Sequence, residues 1–185
     1  NPVLKFKIRQ KILDIRKKKY KEDINYYLSK FFKEISKNNI KKNIIGGYYP
    51  VNYEVNILEL LYKLEAKGLK LSLPVVKKNK EMDFYHWSSK NLLKLNKYGI
   101  PEPEQNKKVF PDIILVPLVA FDNKLYRIGY GGGYYDRYIQ KILNKKKMFK
   151  VGIAHSCQKI NQVPANKHDR KLDLIITEKY VLRWK

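Results

Sequence analysis

Apolar residues recur at helical spacing through the first 36 positions: Phe6, Ile8, Ile12 and Ile15, then Ile24, Tyr27, Leu28, Phe31, Phe32 and Ile35. That spacing suits helices. A polar break near residues 18–22 predicts two helices rather than one. The pattern then tightens to a buried strand over 44–49, ended by Pro50. Helical spacing returns over 55–66 and stops at Lys67-Gly68, a C-terminal signal. Residues 69–76 and 82–87 read as strands, and apolar runs at 112–116, 149–154 and 172–177 look the same. Tyr98-Gly99-Ile100-Pro101-Glu102-Pro103 is expected to lie outside regular structure, because its prolines fix the backbone and lack a donor. The alternation of strands and helices predicts an α/β fold: a single three-layer α/β/α domain over residues 1–185, with a mostly parallel sheet.

Length and composition narrow the class. A chain of 185 residues that is 44% hydrophobic can bury a core. No apolar stretch approaches the roughly 20 residues that span a bilayer. The charged opening, Asn1-Pro2-Val3-Leu4-Lys5-Phe6-Lys7, has no apolar signal core behind it. The single cysteine, Cys157, has no internal disulfide partner, which fits a reducing compartment. A cytoplasmic monomer with no membrane partner is the expectation.

The net charge of +23 admits two explanations. It could attract a polyanion, or it could reflect a composition biased throughout. Only six basic residues are arginine (Arg9, Arg16, Arg127, Arg137, Arg170, Arg183), and the lysines are scattered from end to end. Base and phosphate readers lean on arginine, so no specific nucleic-acid partner is expected. Lys17–Lys19 and Lys145–Lys147 read as solvated helix ends or turns.

The chemistry concentrates in one segment. After the apolar run Ile113-Ile114-Leu115-Val116-Pro117 come Arg127-Ile128-Gly129-Tyr130-Gly131-Gly132-Gly133-Tyr134-Tyr135-Asp136-Arg137, then residues at helical spacing. Glycines between strand and helix let backbone N–H groups converge, and the helix N-terminus adds its partial positive charge. Together they suit phosphate. A plain tight turn would need only one or two of these glycines. The loop is not a Walker A motif, since no Gly-Lys-Ser/Thr follows. It also fails the dinucleotide fingerprint, because Tyr134 stands where the sixth-position glycine belongs. Asp136 could hold Mg²⁺ or could serve only as a first-turn carboxylate; its position leaves both open.

Arg-x-Gly-x-Gly-x-Gly-Tyr-Tyr-Asp after Val-Pro-x-x-x-Phe-Asp resembles the signature of the 5-formyltetrahydrofolate cyclo-ligase family, also called methenyltetrahydrofolate synthetases. Four further motifs agree in order: Lys5-x-x-x-Arg9, Tyr49-Pro50-x-x-x-Glu54, the proline segment 98–103, and Val163-Pro164-x-x-x-His168-Asp169 followed by Leu172-Asp173. The resemblance implies ATP- and Mg²⁺-dependent closure of 5-formyltetrahydrofolate to 5,10-methenyltetrahydrofolate, with ADP and phosphate released. It implies ATP contacts from Lys5, Arg9, Arg127 and the loop Gly129, Tyr130, Gly131, Gly132, Gly133, Tyr134, Tyr135. Mg²⁺ would be held by Asp136 and Asp169. Folate contacts would come from Tyr49, Glu54, Tyr98, Tyr130, Gly131, Gly132, Gly133 and Tyr134. Catalytic roles would fall to Arg127, Tyr134 and Asp136. At Tyr98 the resemblance would more often imply tryptophan.

Simpler roles stand beside these. Lys5 and Arg9 fit the polar face of an amphipathic helix, and Glu54 could cap the helix after it. His168 could be a surface residue. His155 with Cys157, and His86 with Phe84, Tyr85 and Trp87, read as packing. An unrelated phosphate-binding enzyme on a similar layout, such as a sugar-phosphate isomerase, and a polyanion-binding protein are the competing functions.

Overall fold

The computed structural model describes residues 2–19, 24–38 and 43–183. The chain opens with α1 (Pro2–Lys19) and α2 (Ile24–Lys37), then β1 (Ile44–Gly46), α3 (Leu58–Ala66), β2 (Lys70–Val76) and β3 (Met82–Trp87). Short strands follow: β4 (Lys94–Leu95), β5 (Pro101–Glu102), β6 (Lys108–Val109), β7 (Ile113–Leu115), β8 (Ala120–Phe121) and β9 (Arg127–Ile128). The last elements are α4 (Tyr134–Ile142), β10 (Phe149–Ile153), β11 (Leu174–Ile176) and β12 (Val181–Arg183).

The main sheet has eight strands in the order β12-β11-β10-β7-β1-β2-β3-β6. Its five central strands, β11 through β2, run parallel; β12, β3 and β6 extend the edges antiparallel. Alternation along the strands divides the core, as a pleated sheet requires. Ile113 and Leu115 face α2 and α3, packing with Tyr27, Phe31, Leu60, Leu61 and Leu64. Ile114 and Val116 face α4, packing with Tyr138, Ile139 and Ile142. The result is the expected helix–sheet–helix layering. α1 lies apart from both faces, with Ile12 packed on Val119, Ala120, Ile128 and Val163 around the β8–β9 hairpin.

From β1 the chain moves to β2 on one side, while β7 later pairs on the other. Such a reversal of strand order leaves a crevice at the carboxyl ends of the two strands. Here those ends are Gly46 and Leu115.

Several element bounds differ from the sequence pattern for local reasons. β1 ends at Gly46, so Tyr48 and Tyr49 leave the sheet. The helix over 55–66 begins only at Leu58, because 51–54 forms a turn in which Glu54 N–H donates to the Val51 carbonyl. Asn52 and Tyr53 take left-handed backbone there, with φ of 49° and 59°. α1 runs through Lys19, past the start of the expected break, and the rest of that break, at 20–22, lies outside the described residues. Pro101 and Glu102 were expected outside regular structure but form β5 on β4. A two-residue edge pairing tolerates proline because it asks so little of the missing donor. Lys17–Lys19 close α1 as expected, whereas Lys146 is a structural partner of Asp112 at 2.7 Å rather than merely solvated.

Candidate active site

A cleft of about 1240 Å³ opens at the crevice between β1 and β7. Its walls come from α1, the segment after β1, the β4–β5 loop, the glycine loop with α4, and residues 166–170. All residues proposed from sequence line it: Lys5, Arg9, Tyr49, Glu54, Tyr98, Arg127, the loop from Gly129 to Tyr135, Asp136 and Asp169.

The glycine loop owes its path to backbone that side chains disfavour. Gly131 has φ +107° and Gly133 φ +67°, a region open to glycine and costly for other residues. Gly133 is the N-cap of α4, and no side chain caps the helix there. The helix therefore begins at the cleft with its amide end uncapped, an arrangement that favours anions.

Cations and carboxylates alternate around this loop. Arg127, delivered by the β8–β9 hairpin, donates through Nη1 and Nη2 to Asp136 Oδ2 at 3.3 and 3.2 Å. The other Asp136 oxygen accepts the Arg170 backbone N–H at 2.9 Å. Lys5 Nζ pairs with Asp169 Oδ2 at 2.6 Å, and Arg9 Nε donates to the Gly129 carbonyl at 2.7 Å. Asp136 and Asp169, 33 positions apart, are thus brought to one wall, with Arg170 touching the first and following the second. His168 sits at the exposed rim, and no group of three or more His, Cys, Asp or Glu side chains gathers for a metal among the described residues.

Lys5, Arg9, Ile12 and Arg16 follow one another at steps of four, three and four, the repeat of a single helix face. On that face Lys5 and Arg9 line the cleft, while Ile12 and Arg16 are buried. Lys5 and Arg9 are therefore more than a solvated polar stripe.

On the opposite wall, Glu54 does not cap α3. It is buried, with Oε2 accepting the Val51 N–H at 2.8 Å and Oε1 accepting the Tyr130 hydroxyl at 2.9 Å. Burial raises its pKa to about 7, opposed by those hydrogen bonds and by Arg16. Tyr48 and Tyr135 present hydroxyls that are buried without a hydrogen-bond partner among the described residues. At the mouth, Tyr98 rides the tip of the β4–β5 loop, whose Asn96 Oδ1 accepts from the Tyr98 and Ile100 N–H groups.

The sequence reading missed Arg16, Tyr48, Arg137 and Arg170. Arg137 donates to the Lys80 carbonyl at 2.8 and 3.0 Å, tying the β2–β3 turn to the loop helix. The available signal was arginine itself: in a lysine-rich chain, Arg9, Arg127, Arg137 and Arg170 line the cleft. Phe84 and Trp87 are core residues, as expected. His155 is buried beside the short helix Ser156–Gln158, and Cys157 is a free thiol.

Fold and site together define the class: an α/β enzyme whose small-molecule cleft lies at the carboxyl edge of a parallel sheet. A model described as the 5-formyltetrahydrofolate cyclo-ligase family matches residues 3–178. The 5-formyltetrahydrofolate cyclo-ligase of Haemophilus influenzae is 34% identical over 140 residues, 71% of this chain and 74% of that protein. A Schizosaccharomyces pombe protein named "Probable 5-formyltetrahydrofolate cyclo-ligase" is 41% identical over 106 residues, spanning about half of each protein, 49% and 52%. Among solved structures, the 5,10-methenyltetrahydrofolate synthetase of Aquifex aeolicus superposes with a TM-score of 0.78 at 33% identity, over 97% of this chain and 92% of that one. The chain belongs to the 5-formyltetrahydrofolate cyclo-ligase family, and its enzyme class is ligase. No helix among the described residues is long and apolar enough to cross a membrane.

Proposed function

We propose that the protein converts 5-formyltetrahydrofolate to 5,10-methenyltetrahydrofolate in an ATP- and Mg²⁺-dependent reaction that releases ADP and phosphate. The observation that carries this reading is the uncapped, glycine-led start of α4, facing the same cleft as Lys5, Arg9, Arg127 and two aspartates.

The formyl group is an amide, and its oxygen leaves poorly. Transfer of the γ-phosphoryl group to that oxygen expels ADP and makes the oxygen part of a phosphate. The neighbouring folate amine then attacks the formyl carbon and loses its proton. The carbon–oxygen bond breaks, phosphate departs, and the ring is closed. Such transfer depends on positioning and charge neutralisation more than on covalent help. The loop amides from Gly129 to Tyr135, with Lys5, Arg9 and Arg127, hold the triphosphate. Glu54, Tyr49, Tyr98 and Tyr130 hold the folate, and Tyr134 stands between the two.

The donor set fits Mg²⁺. Two carboxylates without a soft ligand suit a hard cation that takes its remaining oxygens from phosphate and water. Asp136 and Asp169 would hold it, and the ion would neutralise charge on the phosphate oxygens. Arg127 and Lys5 are the counter-charges of those carboxylates. A single-domain, cytoplasmic monomer acting on small molecules completes the reading. The assay follows methenyltetrahydrofolate absorbance with 5-formyltetrahydrofolate, ATP and Mg²⁺, omitting each in turn. Product in every complete mixture and none without ATP is expected; equal product without ATP overturns the reading.

A further inference from the structure

Arg16 has no solvent exposure, yet it has no carboxylate at ion-pair distance among the described residues. Removing a guanidinium from water is costly, and an apolar side chain serves mere packing at lower cost. Arg16 offsets the cost through directed bonds. Nη1 donates to the Leu118 carbonyl at 3.1 Å, and Nη2 to the Asn52 carbonyl at 2.5 Å and the Tyr130 hydroxyl at 2.6 Å. Tyr130 in turn donates to Glu54 at 2.9 Å.

These partners come from three parts of the site. Asn52 belongs to the turn that carries Glu54, Leu118 to the segment leaving β7, and Tyr130 to the glycine loop. A lysine has one ammonium and could not span them; the planar fork of arginine can. Tyr130 is 39% exposed, and its hydroxyl is held by Arg16 and Glu54.

We propose that Arg16 is a positioning residue: by fixing the Tyr130 hydroxyl against Glu54, it sets the folate-side wall relative to the glycine loop. The proposal rests on the function assigned above and adds a residue outside the cleft lining to it. The titratable groups facing Glu54 are Tyr130, Tyr48, Tyr135 and Arg16; the Val51 and Tyr130 hydrogen bonds offset its burial first, and Arg16 adds the one positive charge among them.

The test compares Arg16→Gln, Arg16→Lys, Tyr130→Phe and the Arg16→Gln/Tyr130→Phe double variant. Two readouts are used: KM for 5-formyltetrahydrofolate against KM for ATP, and the titration midpoint of the Glu54 carboxyl by ¹³C NMR in ligand-free protein. Arg16→Gln should raise the folate KM about tenfold and leave the ATP KM within about twofold. It should also move the Glu54 midpoint upward, and Arg16→Lys should restore part of both. The double variant should be no worse than Arg16→Gln, because both changes break one chain of bonds. If Arg16→Gln does not fold, Tyr130→Phe must show the same split and the same upward shift. Losses that multiply in the double variant, equal rises in both KM values, or an unmoved Glu54 midpoint would overturn the proposal. An inactive wild type would instead overturn the assigned reaction, and the NMR measurement would still decide whether Arg16 governs Glu54.

Discussion

The phenol oxygens of Tyr98 and Tyr134 lie 2.9 Å apart at the mouth of the cleft, joining the tip of the β4–β5 loop to the first residue of α4. The shared hydrogen bond draws Tyr98 below its ordinary pKa and pushes Tyr134 above. Both groups are accessible, so the bond adds little to folding. Tyr98→Phe should leave the unfolding midpoint and the folate KM nearly unchanged. Tyr98→Ala removes the ring and should raise that KM about 2- to 12-fold, the worth of an aromatic contact. Equal effects of the two changes would show that the hydroxyl bridge, not the ring, engages the substrate.

Glycine substitutions separate backbone strain from obstruction. Gly133→Ala places a side chain at φ +67°, its Cβ 2.7 Å from the flexible end of Arg137, and should cost about 1–2 kcal/mol of stability, mostly from the backbone. Gly132 has no such constraint, but a Cβ there would lie 2.6 Å from the Tyr134 ring. Gly132→Val should therefore reduce ATP-dependent turnover far more than it lowers the unfolding midpoint. ATP affinity, turnover and thermal unfolding on one preparation distinguish the cases. Unchanged turnover with a clear loss of stability in Gly132→Val would reduce the loop to a turn.

Asp136→Asn tests two roles at once. The carboxylate is the ion-pair partner of Arg127, whose side chain is 4% exposed, so the variant should lose about 1–3 kcal/mol even without Mg²⁺. It should also need several-fold more Mg²⁺ for half-maximal turnover. Lower stability with an unaltered Mg²⁺ requirement would assign Asp136 to Arg127 alone.

Glu54 gives a signed pH dependence. Its folded pKa, about 7, lies above the ordinary 4.5, so the folded state binds more protons across that window. Stability from this group is complete below pH 4.5 and is lost as pH rises through 7. Wild type should therefore lose about 3 kcal/mol relative to Glu54→Gln between pH 4.5 and 8.5. Denaturant unfolding of both proteins across that range measures it, and a constant difference would refute the burial argument.

Much of the site was legible because its chemistry is local in sequence. Gly129 to Asp136 form one continuous loop and helix start, and ordered motifs marked Lys5, Arg9, Glu54 and Asp169. Arg16 was not legible. It precedes Lys17–Lys19, and nothing in that run of charges announces that one is buried while its neighbours are solvated. Its burial follows from the approach of Leu118 and Tyr130, more than 100 positions away. The helical step from Ile12 was its one local trace. Layer order followed from apolar patterning, but β4, β5, β8 and β9 are two-residue pairings set by what surrounds them. Pro101 shows the limit of a propensity argument at such an edge.

Because α1 meets its site partners only through distant segments, it has a particular problem during synthesis. Lys5 is 164 positions from Asp169. At ribosomal rates of 5–20 residues per second, Lys5 is made about 8–33 s before that partner. Until residues 118–130 are made, Ile12 and Arg16 lack the hairpin and loop that will cover them. The cleft is therefore a late product of translation, and a chain halted before residues 166–170 carries a finished α1 whose Lys5 has no Asp169 to pair with.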